Sequence, residues 1–125
     1  MLEGMKPTVV NFQDKFARFA DRWSPKVIAQ MNDYQFKLVR IQGEFVWHQH
    51  ADSDEVFICL EGELTIRLRD GEVTLRAGEM YVVARGVEHQ PYAAAECKMM
   101  LVEPNGVVNT GATGGSLTAD NDVWI

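Results

Sequence analysis

The stretch "GEFVWHQHADSDEVFICLEG", residues 43–62, places two of the chain's three histidines, His48 and His50, two positions apart and follows them with Asp52, Asp54 and Glu55. In a strand, residues two apart project from the same face, so the two imidazoles can be presented to one point. Glu55 lies past the turn-prone Ala51–Asp54 segment, where an adjacent antiparallel strand returns its carboxylate to the same place. His89, just beyond "RGVE", completes the set from a distant strand. A lone strand histidine is ordinarily a surface or hydrogen-bonded core residue. Here all three histidines and a carboxylate fall into one spaced set, and imidazole with carboxylate is common metal-ligand chemistry.

Around this stretch the chain reads as strand after strand. "WSPKVIAQMNDYQFKLVRIQG" forms two strands about an Asn32-Asp33 turn, the second alternating Phe36 and Leu38 with Lys37 and Arg40. "EVFICLEG", "LTIRLRDGEVTLRAG" and "MYVVARG" are short β-branched runs, with Asp70-Gly71 the strongest hairpin signal, and "HQPYA" and "CKMMLVEP" add two more. Many short strands with frequent turns argue for an all-β barrel or sandwich. Ahead of them, Phe12, Phe16 and Phe19 stand at helical spacing behind Asn11 as N-cap, which predicts a short amphipathic helix packing its aromatic stripe on the core. The tail "NGVVNTGATGGSLTADNDVWI" reads as a loop-rich extension with a helical turn after Thr118.

At 125 residues the chain is expected to be a single domain over 1–125: a helix-and-strand segment at 1–33, a barrel at 34–104 and the extension at 105–125. Net charge is −6, and Lys and Arg are scattered, which argues against nucleic acid as a partner. "MLEGMKPTVVNFQDKF" lacks the basic and apolar regions of a leader, and no apolar run approaches the length of a membrane span, so the expectation is a cytoplasmic protein with no membrane partner. Cys59 and Cys97 sit in apolar strands without metal-type spacing and read as reduced thiols.

The spacing of His48, His50, Glu55 and Gly62, then Gly78, Gly86 and His89, resembles the two motifs of the cupin superfamily, in particular its small single-domain members. "FADRWSPKVIAQMND" and "VEPNGVVNTG" resemble one widespread group of uncharacterised cupins. The chain departs from the motifs at Ala84, where proline is usual, at Ala93, where asparagine is usual, and in a Gly43 one residue closer to His48; none of these removes a ligand. The resemblance implies a double-stranded β-helix, a jelly-roll-like barrel with a metal inside, and a homodimer.

Three neutral imidazoles and one carboxylate leave a divalent ion with net charge near +1 and, if six-coordinate, two adjacent open positions. One such ion per chain is expected, as Mn, Fe, Co, Ni, Cu or Zn. If Glu55 faces inward, Phe57 and Cys59 follow it, and Pro91 shares the inward face with His89, giving three candidates for the pocket wall. Trp47 should face away from the ligands into the core, and Met80, Met99 and Met100 should fill gaps there. Arg85, Arg40 and Lys37 read as solvated charges rather than a phosphate clamp. Two functional classes follow: a metal-dependent enzyme on a small polar molecule, of dioxygenase type or of sugar or sugar-phosphate isomerase type, or a non-catalytic binder of a small molecule or metal. The absence of a helix-turn-helix segment disfavours a transcription regulator.

Overall fold

Residues 8–125 are described by the structure, a computed structural model, and they form one helix and seven strands. In chain order these are α1 (Phe12–Phe16), β1 (Lys26–Met31), β2 (Tyr34–Glu44), β3 (Glu55–Glu61), β4 (Glu63–Leu68), β5 (Gly71–Arg76), β6 (Met80–Val83) and β7 (His89–Pro104). Part of the leader-free reading of the N-terminus, residues 1–7, lies outside the described range. No helix among the described residues is long and apolar enough to cross a membrane.

The sixteen-residue β7 organises the fold. Along one edge it pairs antiparallel with β2, from Tyr34↔Pro104 to Glu44↔Tyr92. Along the other edge its first half pairs with β4, from Leu68↔His89 to Thr65↔Tyr92, and its second half with β3, from Val56↔Val102 to Glu61↔Lys98. Register breaks at Ile41/Gly43 and Cys59/Glu61 flank the exposed Ala94–Ala95 corner, so β7 turns from one partner to the next without ending. "HQPYA" and "CKMMLVEP" are therefore one bent strand, not two. The sequence carries a composition change at that corner, but a bulge bends a strand without breaking its ladder.

Alternation then sorts side chains into two apolar clusters. Val39 and Ile41 of β2, Phe57 and Cys59 of β3, Leu64 and Ile66 of β4, and Cys97, Met99 and Leu101 of β7 fill the barrel. Their neighbours Leu38, Ile58, Leu60, Met100 and Val102 face outward and are covered by Phe16, Phe19 and Ile125. This is the expected all-β double-stranded β-helix with a short N-terminal helix, and the strand parity of β3 falls as the alternation predicts.

Local chemistry explains the attachments. Asn11 caps α1 by accepting from the Asp14 N–H at 3.0 Å, and the helix stops after Phe16, leaving Phe19 beyond it and Phe12 exposed. Arg40 donates to the carbonyls of Phe16 and Phe19 and to Glu96, which pins this segment to the sheet. It is not the solvated charge that the alternation suggested. Met80 is 57% exposed, because β6 pairs only with β3 and its outward side is uncovered; Met99 and Met100 are buried as expected. Trp47 does face away from the histidines, but it is half-buried with the Arg69 guanidinium 3.8 Å from its ring centroid rather than in the core. The β4–β5 turn closes at Leu68↔Gly71, so Arg69 and Asp70 occupy its two central positions. No helical turn follows Thr118; instead Val123 and Ile125 hydrogen bond to Val27 at the edge of β1.

Gly62 joins β3 to β4 at φ +89°, and a Cβ there would lie 3.1 Å from the Glu96 carbonyl oxygen and 3.3 Å from Cys97 Cα. Backbone on both counts leaves nothing flexible to yield. Gly62→Val is expected to lower stability by at least about 1–2 kcal/mol, the cost of forcing an L-residue into left-handed backbone. The urea denaturation midpoint checks this, and an unchanged midpoint would show that the corner of β7 adapts freely.

Candidate metal centre

His48, His50, Glu55 and His89 converge in the barrel: all four are buried, and one ligand atom from each lies within 4.8 Å of the others. Glu55 opens β3 and His89 opens β7, while His48 and His50 belong to the extended segment between β2 and β3. That segment is not a regular strand. It is held by a mutual backbone pair between His48 and His89, at 3.0 and 2.9 Å, and by the Gly86 N–H donating to the His50 carbonyl at 2.9 Å. Two isolated pairings thus do the work expected of a strand, and both histidines still face inward.

The imidazoles are oriented for ligation. Nδ1 of His48 lies 2.9 Å from the Val46 carbonyl and Nδ1 of His89 lies 2.9 Å from the Val87 carbonyl. Donation there fixes the tautomer that leaves Nε2 with a lone pair, the usual outer arrangement around a metal-binding histidine. His89 Nε2 is 3.2 Å from Glu55 Oε1. His50 Nε2 is 3.6 Å from the same oxygen, beyond hydrogen-bond reach, and is buried without a partner. A buried nitrogen without a partner is costly, and a cation at the centre of this set would satisfy it. The donor set fits a divalent transition metal.

Burial lowers the His48 pKa to about 4, with the neighbouring His89 adding to the effect, so the imidazole is neutral at ordinary pH. Burial alone would raise Glu55, but the His50 and His89 imidazoles and the Glu103 carboxyl outweigh it and hold Glu55 well below the usual range. Glu103 goes the other way. Burial and the Glu55 charge push it up against the pull of Lys37.

Glu103 and Lys37 were missed in the sequence. Lys37 is 2% exposed and its Nζ lies 2.7 Å from Glu103 Oε2 inside the barrel, so it is no solvated charge. The signal was available in parity: Lys37 precedes Val39 and Ile41 on the inner face of β2, and Glu103 follows Met99 and Leu101 on that of β7.

Beside the cluster is a small cavity of about 20 Å³, room for roughly one water-sized sphere. Phe57 and Pro91 line it with His48, Glu55, Phe45 and Met99, and so does Asn109 from the C-terminal extension. Cys59 lies further along β3, its Sγ 3.8 Å from Cys97 Sγ, and both cysteines are free. Burial raises the pKa of both thiols. The extension is built into the site. Asn109 donates to the carbonyls of Trp23 and Leu117, Thr113 Oγ1 donates to the Trp47 carbonyl, Thr110 is fully buried, and Gly111 sits so close to the Gln49 carbonyl that a Cβ there would overlap it. A wider cleft between this extension and residues 49–53 reaches His50 from outside.

Between residues 37 and 103 the chain matches the family model of the cupin domain, and it belongs to that family. It is similar to a cupin-2 domain containing protein from Shewanella frigidimarina, at 64% identity and TM-score 0.76 over 77% of this chain and 94% of that one. Protein NMB1881 from Neisseria meningitidis is 33% identical, with TM-score 0.71 over 78% of this chain and 99% of that one. The uncharacterized protein YdbB of Bacillus subtilis is 38% identical over 77 residues, 61% of this chain and 68% of its own.

The lowered His48 pKa has a sign that can be tested in the metal-free chain. Between about pH 4 and 6.5 the unfolded chain binds a proton at this residue that the folded chain excludes. Stability present above pH 6.5 should therefore be lost as pH falls toward 4. Chemical denaturation of chelated protein across this range measures it, and His48→Gln should flatten the slope.

Proposed function

We propose that His48, His50, Glu55 and His89 hold one divalent transition metal ion and that the protein is a metal-dependent enzyme acting on a small, oxygen-bearing molecule. The observation that carries this reading is the convergence of four buried ligand atoms within 4.8 Å beside a small, mainly apolar cavity. A divalent ion held there supplies Lewis-acid polarisation and, with iron, redox chemistry toward dioxygen. Structural metal sites are usually closed by their ligands, whereas four ligands leave an octahedral ion open.

The residues of the chain provide the rest. Phe57, Met99 and Leu101 exclude bulk water from one side of the cluster, which strengthens every electrostatic interaction inside. Asn109 lines the cavity with its amide already engaged by backbone groups. Among the described residues, neither the cavity nor the cleft at His50 is lined by Lys or Arg. Of the expected cations, Lys37 pairs with Glu103, Arg40 anchors the helix segment, and Arg85 faces Asp54 at 3.6 Å. A phosphate would find no clamp, which favours an oxygenase-type reaction over a sugar-phosphate isomerase.

Elemental analysis is expected to give one equivalent of divalent metal per chain in the wild type and little in His50→Ala; full occupancy in that variant would contradict the ligand assignment. Chelation should lower the melting temperature, since a ligand at a hundredfold its dissociation constant stabilises the folded state by about 2.7 kcal/mol, yet the β-sheet circular dichroism should persist. Iron(II)-loaded protein should bind nitric oxide with a paramagnetic signal that small bidentate acids displace. Phe57→Ala should change the affinity for those acids while metal content stays at the wild-type level. A metal-loaded protein that binds no exogenous ligand is a non-catalytic binder, not an enzyme.

A further inference from the structure

The geometry points to Lys37 and Glu103 as positioning residues that fix the Glu55 carboxylate for the metal, an inference that rests on the metal reading above. Register puts the three side chains together. Val56↔Val102 makes Glu55 and Glu103 cross-strand neighbours on the inner faces of β3 and β7, and Lys37↔Leu101 sets Lys37 diagonally from Glu103 on β2. All three are nearly solvent-free, at 3%, 1% and 2% exposure. Lys37 Nζ donates to Glu103 Oε2 at 2.7 Å, while Glu103 Oε1 is buried with no hydrogen-bond partner among the described residues.

A buried ion pair is weak grounds for expecting stability, because desolvation offsets the attraction and an apolar pair of similar volume is often equally stable. Its position next to one ligand suits another task. Glu55 is the first residue of β3, paired with Val83 of β6 one residue ahead of the β7 ladder, and a carboxylate at a strand end has rotamers that point away from the histidines. The Glu103 side chain, opposite Glu55 in the β3–β7 register, takes up the space those alternatives need, and Lys37 holds Glu103 in turn. Groups that orient a metal ligand typically account for 10- to 100-fold in metal affinity.

The test is cobalt(II) titration of chelated full-length protein, followed by its visible absorption, in wild type, Glu55→Ala, Glu103→Gln and the double variant Lys37→Met/Glu103→Leu. The double variant removes the pair without stranding a charge, so the metal-free protein should melt no lower than wild type. Its cobalt affinity should nevertheless fall by about 10- to 100-fold, with a shifted absorption band at saturation. Glu103→Gln keeps the side-chain volume opposite Glu55 and an acceptor for Lys37 and should stay close to wild type. Wild-type affinity in the double variant, or a loss in Glu103→Gln as large as that expected of the double variant, overturns the positioning role. Where the double variant does not fold, Lys37→Met is titrated in its place, with the same fall in affinity expected and wild-type affinity overturning the role. Failure of wild type to bind cobalt, or wild-type binding by Glu55→Ala, overturns the metal reading itself.

Discussion

Burying three imidazoles, two carboxyl groups and an ammonium in one strand-lined interior is the constraint on which the rest of the structure depends. Each such group forfeits hydration and must recover it from partners fixed by the fold. His48 and His89 recover theirs from the Val46 and Val87 carbonyls, and Lys37 and Glu103 from each other. Only strand register can place them so. A slip by one residue along β3 or β7 would turn Glu55 or Glu103 outward and drive Val56 or Val102 into the polar cluster.

The apolar layers secure that register from both sides. Inside, the Phe57, Leu101 and Met99 side chains pack below the cluster, and burying an aromatic such as Phe57 contributes roughly 2–3 kcal/mol. Outside, Phe16, Leu38 and Met100 form a separate layer under the helix, and Arg40 ties the two chain regions together. The C-terminal extension finishes the barrel mouth instead of leaving it open, with Thr110 buried and Asn109 reaching the cavity. Strand parity thus sorts the side chains: inner faces hold the site and the main apolar core, outer faces hold the helix segment and Ile125.

Much of this was legible in the sequence, because histidine is scarce in the chain and its spacing carries information that composition does not. The strand class, the Asn32-Asp33 turn, the helix cap at Asn11 and the convergence of His48, His50, Glu55 and His89 all follow from local pattern. What was not legible depended on tertiary pairing. Lys37 looks like a solvated charge until β2 is known to present it inward, and nothing local says that Glu103 will meet it. Met80 has the composition of core, yet only the edge position of β6 decides that it stays exposed. Gly, Thr and Asn in the extension signal a loop, and the loop's seat over His48–His50 comes from long-range hydrogen bonds such as Thr113 to Trp47.

The most direct measurement of the central claim is an anomalous difference map from crystals of cobalt-loaded protein. The account predicts one peak per chain, about 2.1 Å from the Nε2 atoms of His48, His50 and His89 and in bonding contact with the Glu55 carboxylate. A peak coordinated through Nδ1, a peak elsewhere in the molecule, or a barrel interior without one would contradict it.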